Sequence, residues 1–206
     1  MRLSEKTIEL NFCAQVTASV PTPIFWFGLT QKQEAAAGFD AAMRMGGRLL
    51  LFQFKASDYV LKSTARRFHL SHHQLAALQK RATKRPRSVF YAFPLIGNTI
   101  ELSKAPSLLG NVGLLDVATL PAINPPTTRY GTPRKNQVHY ADVRRWTVTI
   151  HSEPVESRLE PAIERVVGGF RGARGASPDE RVERFGDFWR FRRGLGGTAA
   201  AAILLP

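Results

Sequence analysis

Gly38 to Lys55 runs G-F-D-A-A-M-R-M-G-G-R-L-L-L-F-Q-F-K, two largely apolar stretches meeting at Gly46-Gly47. A two-residue hairpin turn needs positive φ at both central positions, which glycine adopts without steric cost, so this stretch predicts a tight β-hairpin. With the two glycines as the turn, Met45 faces Arg48 and Asp40 faces Gln53. Alternation then places Phe39, Ala41, Met43, Leu50, Phe52 and Phe54 on one face, and Asp40, Gln53 and Lys55 with Leu49 and Leu51 on the other. The first face is wholly apolar, while the second gathers a carboxylate, an amide and an ammonium. A register slip of one residue would scatter that cluster.

Moving upstream, Thr30 is an N-cap for a short helix over Gln31 to Ala37 that Gly38 ends. Pro21 and Pro23 break the chain before it. Residues 7 to 14, T-I-E-L-N-F-C-A, alternate Ile8, Leu10 and Phe12 with Thr7, Glu9 and Asn11, which predicts a half-buried strand. Moving downstream, Ser71 caps a helix from His72 to Thr83 with Leu75, Leu78 and Ala82 on one face and Lys80, Arg81 and Lys84 around the other, ended by Pro86. Residues 88 to 93, S-V-F-Y-A-F, predict a strand covered on both sides. A further strand or buried segment is expected over Gly113 to Leu120. Pro121, Pro125 and Pro126 then begin a loop carrying Arg129, Arg134 and Lys135. The alternation of Trp146, Val148 and Ile150 with Thr147, Thr149 and His151 marks a last amphipathic strand.

These elements give an α/β class with a mixed central β-sheet flanked by helices. After Ser152 the composition changes: residues 155 to 167 can form a helix, and small-residue stretches such as G-G-F-R-G-A-R-G-A-S predict little regular order over 168 to 206. The expected organisation is one domain over residues 1–152 and an Arg/Gly/Ala-rich extension over 153–206.

Charge narrows the partner. The 206 residues hold 29 Lys plus Arg against 16 Asp plus Glu, a net of +13. Residues 1 to 150 carry 20 of those cations and 8 acids, and residues 151 to 206 carry 9 and 8, so nearly all the excess lies in the first three quarters. Such a field favours a polyanion, nucleic acid first. Arg66, Arg67, Lys80, Lys84, Arg85 and Arg87 lie in a stretch with no acid between Thr64 and Arg87, and a phosphate backbone would relieve their repulsion. A single cysteine, Cys13, excludes an internal disulfide and a cysteine zinc finger. No apolar run approaches the roughly 20 residues that span a bilayer, so no membrane partner and a cytoplasmic location are expected.

The polar face of the hairpin suits metal-assisted phosphodiester hydrolysis. Asp40 and the Gln53 carbonyl offer hard oxygen ligands to Mg²⁺ or Mn²⁺, with water and phosphate completing the shell. Lys55 can orient the attacking water or offset charge on the transition state. Glu34, on the short helix before Gly38, can add a carboxylate. The plain alternative is an exposed ion pair with a polar neighbour for Asp40, Gln53 and Lys55, and a solvated helix residue for Glu34. His69, His72 and His73 have no carboxylate or cysteine beside them in sequence, and favour solvent or phosphate over a metal.

The order Glu34, Asp40 in G-F-D-A, then Gln53-Phe54-Lys55 at the end of an apolar strand, then a basic helix and a buried strand, resembles the PD-(D/E)XK nuclease superfamily. It is most similar to the Mrr-like restriction endonuclease branch, in which glutamine replaces the usual acid of the last motif. The resemblance covers residues 30 to 95. It implies a restriction-endonuclease-like core, Mg²⁺ dependence and cleavage of DNA, in restriction or defence, with a homodimer for cutting both strands of a duplex. It also implies Asp40 as principal metal ligand, Gln53 at the second motif position, Lys55 as catalytic lysine and Glu34 as the helix acid. Five residues separate Glu34 from Asp40, too few for the strand found between those positions in the superfamily, so the strand expected over 7 to 14 is left to fill that place. Relatives with glutamine here include proteins that bind without cutting, so a non-catalytic nucleic-acid-binding or assembly module is the competing expectation.

Overall fold

In the computed structural model the described residues are 1–20, 23–45, 48–57, 59–61, 64–105, 107–128, 131–132, 137–152, 155–168 and 202–204. The Gly46-Gly47 turn, the loop cations Arg129, Arg134 and Lys135, and nearly all of the region beyond Gly168 lie outside them.

The chain opens with a helix. Residues 7 to 14, expected as a strand, lie within α1 (Glu5–Ser19). The Ser4 side chain caps it by accepting from the Thr7 N–H at 3.0 Å. Ile8, Phe12 and Val16 recur every four residues and are buried, whereas Leu10, the middle member of the apparent alternation, is 59% exposed. The period-four stripe extends over more residues than the alternation does, and it decides the element.

β1 (Phe25–Gly28), α2 (Gln31–Ala37), β2 (Ala41–Met45) and β3 (Arg48–Phe54) follow. α2 has a full capping box at Thr30 and Gln33 and ends on Gly38 at φ +80°. β2 and β3 pair antiparallel with Ala41 opposite Phe52 and Met45 opposite Arg48, the expected register. Ala41, Met43, Leu50, Phe52 and Phe54 pack on one side of the sheet. Phe39 does not join them: it packs on the other side with Leu49 and Leu51, because it lies just after the left-handed turn at Gly38 and before the ladder begins.

β4 (Tyr59–Val60) and β5 (Arg66–Ser71) lead directly into α3 (His72–Lys84), then β6 (Val89–Pro94), α4 (Thr99–Lys104) and β7 (Val112–Asp116). β6 runs parallel to β3, and α3 is the crossover between them. The expected helix and buried strand are thus in place, and every residue of β6 is buried. β8 (Val138–Arg144), β9 (Thr147–Ile150), β10 (Val155–Arg158), β11 (Glu160–Pro161) and a single π turn (Ile163–Gly168) complete the described fold, with β12 (Ala202–Leu204) pairing to β1. The helix expected over 155 to 167 is instead two short strands and that turn. β10 and β11 satisfy their backbone by adding to β9 and β7, so these two strands belong to the two sheets, and the π turn after them packs Val166 and Val167 into the core.

Among the described residues the larger sheet has the mixed order β11-β7-β6-β3-β2-β1-β12, and the smaller, antiparallel sheet the order β10-β9-β8-β5-β4. α1 and the π turn cover one face of the large sheet. α3, α2 and the inner face of the small sheet cover the other, where Phe68 meets Phe93 at 4.9 Å between ring centres. No helix among the described residues is long and apolar enough to cross a membrane.

Candidate functional site

Gly38 sets the position of Asp40. It ends α2 in the left-handed conformation, its N–H donating to the Glu34 carbonyl at 2.7 Å, and a Cβ there would sit 3.1 Å from both Ala77 Cβ and the Gln74 carbonyl of α3. The Asp40 N–H then donates to the Phe52 carbonyl at 2.9 Å, which extends the β2–β3 ladder by one step. Asp40 therefore faces the end of β3. Its carboxylate accepts from Gln53 Nε2 at 2.9 and 2.8 Å and from the Phe54 N–H at 2.7 Å. Gln53 is 1% exposed and Lys55 is 7% exposed, so both are core positions and not members of a solvated face.

A fourth side chain, Gln74 of α3, joins them. Lys55 Nζ donates to Gln74 Oε1 at 3.1 Å, and Gln74 Nε2 donates to Gln53 Oε1 at 3.2 Å. The resulting chain Lys55 → Gln74 → Gln53 → Asp40 has one direction. An ammonium only donates, so the Lys55 end dictates which way each amide faces. A second bond from Gln53 Nε2 to the Phe54 carbonyl at 3.1 Å holds the same orientation.

The first turns of α1 bring two further acids to this place. Glu5 Oε1 lies 3.6 Å from Lys55 Nζ and 3.4 Å from the Ala56 N–H. Glu9, buried one turn later, accepts from Lys6 Nζ at 2.8 Å. Glu34 of α2 is half-buried, and burial followed by the nearby Glu9 carboxylate raises its pKa. Burial also pushes Asp40 up to about 7, against the Phe54 N–H and the Lys55 ammonium, and Glu5 adds to the rise. Lys6 is held protonated by Glu9 first, with Glu34 and Asp40 contributing. Four of the eight acids in residues 1 to 150 thus act on one another at a single position in a strongly basic chain.

The donor set is hard oxygen, which matches Mg²⁺ in kind. Among the described residues no three His, Cys, Asp or Glu are gathered closely enough to hold a metal by themselves. Mg²⁺ does not require such a cage, since it is held through one or two carboxylates with water and substrate phosphate. Asp40 is the carboxylate at the end of β3 that could enter such a shell, while Glu9 is engaged by Lys6 and Glu5 lies beside Lys55. The Gln53 carbonyl points to Gln74 and would have to turn over to become a ligand.

Of the expected site residues, Asp40, Gln53 and Lys55 form one hydrogen-bonded group with Gln74. Glu34 lies on the α1 side of it, electrostatically coupled to Glu9 and Glu5. The expected phosphate-contacting cations divide. Arg66 turns inward, to the Leu95 carbonyl at 2.8 Å and Glu101 at 2.7 Å. Arg67 grips Asp142 with two bonds of 2.6 Å. Both carboxylates are distant in sequence, so an acid-free stretch of chain is not an acid-free environment. Lys80, Lys84 and Arg87 are exposed, and Arg85 is half-buried.

Glu5, Glu9 and Gln74 went unrecognised in the sequence. The Ser4 cap and the Ile8-Phe12-Val16 stripe would have placed both glutamates on the first turns of a helix, but nothing local singles out Gln74. The histidines form no cluster of three among the described residues: His72 Nδ1 lies 3.1 Å from His139 Nε2, and His69 packs edge-on to Tyr140 at 4.8 Å. Cys13 is partly buried against the α1 core, and burial pushes its thiol up to about 12, which suits a packing residue and not a nucleophile.

Comparisons with protein families, with curated proteins and with solved structures find no match to this chain.

Proposed function

We propose that this protein is a metal-dependent nuclease that hydrolyses phosphodiester bonds of DNA, with Asp40, Gln53 and Lys55 at its centre. The observation that carries this reading is the one-way hydrogen-bonded chain from Lys55 through Gln74 and Gln53 to Asp40, with the α1 acids beside it. The element order supports it too: helix α1, hairpin β2–β3 flanked by β1, crossover α3, and β6 parallel to β3 match the core implied by the resemblance to PD-(D/E)XK nucleases. α1 takes the part of the helix acid, with Glu9 or Glu5 in the role expected of Glu34.

Asp40 and an α1 carboxylate would hold the cation, which when bound would polarise the phosphoryl group and acidify water. Lys55 would donate to a non-bridging phosphate oxygen, where negative charge grows as water adds. Hydrolysis forms one P–O bond from water and breaks one P–O ester bond, and the departing alkoxide takes up a proton. Gln74 holds Lys55 and Gln53 in position without touching the phosphate. The exposed Lys80, Lys84 and Arg87 supply sequence-independent backbone contact for duplex DNA. A role in restriction or defence follows from the resemblance alone.

One observation favours a second reading, a nucleic-acid-binding module without catalysis. The Asp40 carboxylate is already satisfied by N–H donors, and an amide stands where an acid would bring the cation more charge. The test is cleavage of supercoiled plasmid, linear duplex and single-stranded RNA in Mg²⁺ or Mn²⁺, with EDTA and with Lys55→Ala. Loss of plasmid and duplex cutting in both controls, with folding intact by thermal melting, is the expected result. Binding of DNA with no cutting under either metal would replace this proposal with the second reading.

A further inference from the structure

The outer face of the small sheet carries a different set of groups, and it is independent of the Asp40 site. Strand register sets side chains in rows across it. Tyr59, Arg67, Asp142, Thr149 and Glu156 form one row, His69 and Tyr140 the next, and Arg144, Thr147 and Arg158 lie on the far side of the first. The inner face of the same strands is core, with Phe68, Leu70, Ala141, Val143, Val148 and Ile150 all buried. Outside, Tyr59 is 49% and Tyr140 38% exposed.

The two rings are joined by one cation. The Arg67 guanidinium lies 5.9 Å from the Tyr59 ring centre and 5.4 Å from that of Tyr140. Asp142 fixes it there through two 2.6 Å bonds and also contacts His151 at 2.7 Å. Asp142 is thereby occupied and Glu156 stands exposed at the β10 end of its row, while Arg144, Arg145 and Arg158 stand exposed at the margin, three cations to that one acid. The face is thus aromatic at its centre and predominantly cationic at its edge.

We infer that this face binds single-stranded nucleic acid, with bases stacked on Tyr59 and Tyr140 and the backbone drawn by the marginal arginines. Flat rings on an open sheet contribute nothing to a duplex, whose bases are stacked on one another, but every unpaired base has a π face to offer them. The sign of the chain supports the same occupant, because a net of +13 favours an anionic partner. An acidic polypeptide would satisfy the charge but leave the two rings without a stacking partner.

The experiment is fluorescence anisotropy with the full chain in EDTA, which keeps it separate from cleavage. The probes are labelled oligothymidylate and oligouridylate of about twenty nucleotides and a blunt duplex of similar length. The double variant Tyr59→Leu/Tyr140→Leu should bind the single strands roughly ten-fold or more weakly, with duplex affinity changed less than about two-fold. Tyr140→Phe should bind like the native chain, because the ring and not the hydroxyl is used. Which single strand is held more tightly distinguishes DNA from RNA as the source. Unchanged single-strand affinity in the double variant, an equal loss for duplex, or displacement of the oligonucleotide by polyglutamate would overturn the inference. Should the double variant fail to fold, photocrosslinking of 5-iodouracil oligonucleotide to the native chain decides the matter: adducts on Tyr59 or Tyr140 uphold the inference, and adducts confined to α3 refute it.

Discussion

Asp40 is protonated more readily in the folded chain than out of it, and that has a measurable sign. Its folded pKa of about 7 lies above the value near 4 of an unfolded aspartate, so between those values the folded state binds the extra proton. Stability contributed by this group is therefore present at about pH 4 and falls as pH rises towards 7, by a few kcal/mol at most at about 1.4 kcal/mol per unit. Urea unfolding of native protein and Asp40→Asn in EDTA checks this: the native curve should lose stability over that window relative to the variant, and parallel curves would refute the shift. Tyr91 gives a second test. It is fully buried, its hydroxyl finds no hydrogen-bond partner among the described residues, and burial raises its pKa. Tyr91→Phe should leave thermal stability unchanged or raise it by about 1 kcal/mol, since an unsatisfied buried hydroxyl costs that much. A loss of more than about 1 kcal/mol would show that the hydroxyl has a partner. At this scale the register of a hairpin made Asp40 and Gln53 neighbours in the sequence itself, because pairing about two glycines is arithmetic. Gln74 was not legible, since its role depends on a helix crossing back over β3 nineteen residues after Lys55.

α1 shows how an element can be misread and still leave its mark. Eight residues of alternation are compatible with a strand, but only the helix buries Ile8, Phe12 and Val16 together and exposes Leu10. Phe12 touches Trp26, Phe52 and Phe54, with ring centres 6.4, 5.2 and 5.2 Å away. Phe12→Ala should therefore cost about 3–5 kcal/mol in chemical denaturation, and Leu10→Ser less than about 0.5. Equal costs would point back to a strand with both residues on one buried face. α2, by contrast, was legible to its ends, because Thr30, Gln33 and Gly38 act locally. Gly38→Ala tests that element: φ +80° strains any side chain, and a methyl group 3.1 Å from Ala77 Cβ and the Gln74 carbonyl would push α3 back, so the melting temperature should fall, and Asp40 should be displaced with it. The strands β5 and β8 were not legible. Their residues alternate, yet His139 faces inward, and its burial is made possible by His72 and Ser152, which come from other parts of the chain.

At the scale of the molecule, two sheets share one core and divide the surface. The large mixed sheet and its flanking helices place the acids of α1 and α2 against the end of β3, while the small sheet turns an aromatic and cationic face outward. The α/β class and the central hairpin, crossover helix and buried strand could be inferred from periodicity. The second sheet could be inferred only at β9, because the pairing that assembles it, β5 with β8, joins strands far apart in the sequence. The excess of positive charge was plain in composition, but its distribution was not: Arg66 and Arg67 meet acids from α4 and β8, whereas Lys80, Lys84 and Arg87 are exposed. The most direct test of the Asp40 centre is single-turnover cleavage of a labelled duplex across Mn²⁺ concentrations, with binding followed in the same samples for native protein and Asp40→Asn. The expected result is that both bind the duplex alike while only the native protein cuts it, with a rate that rises with Mn²⁺. Equal cutting by both proteins, or binding by both with no cutting at any Mn²⁺ concentration, would contradict a metal-dependent nuclease centred on Asp40.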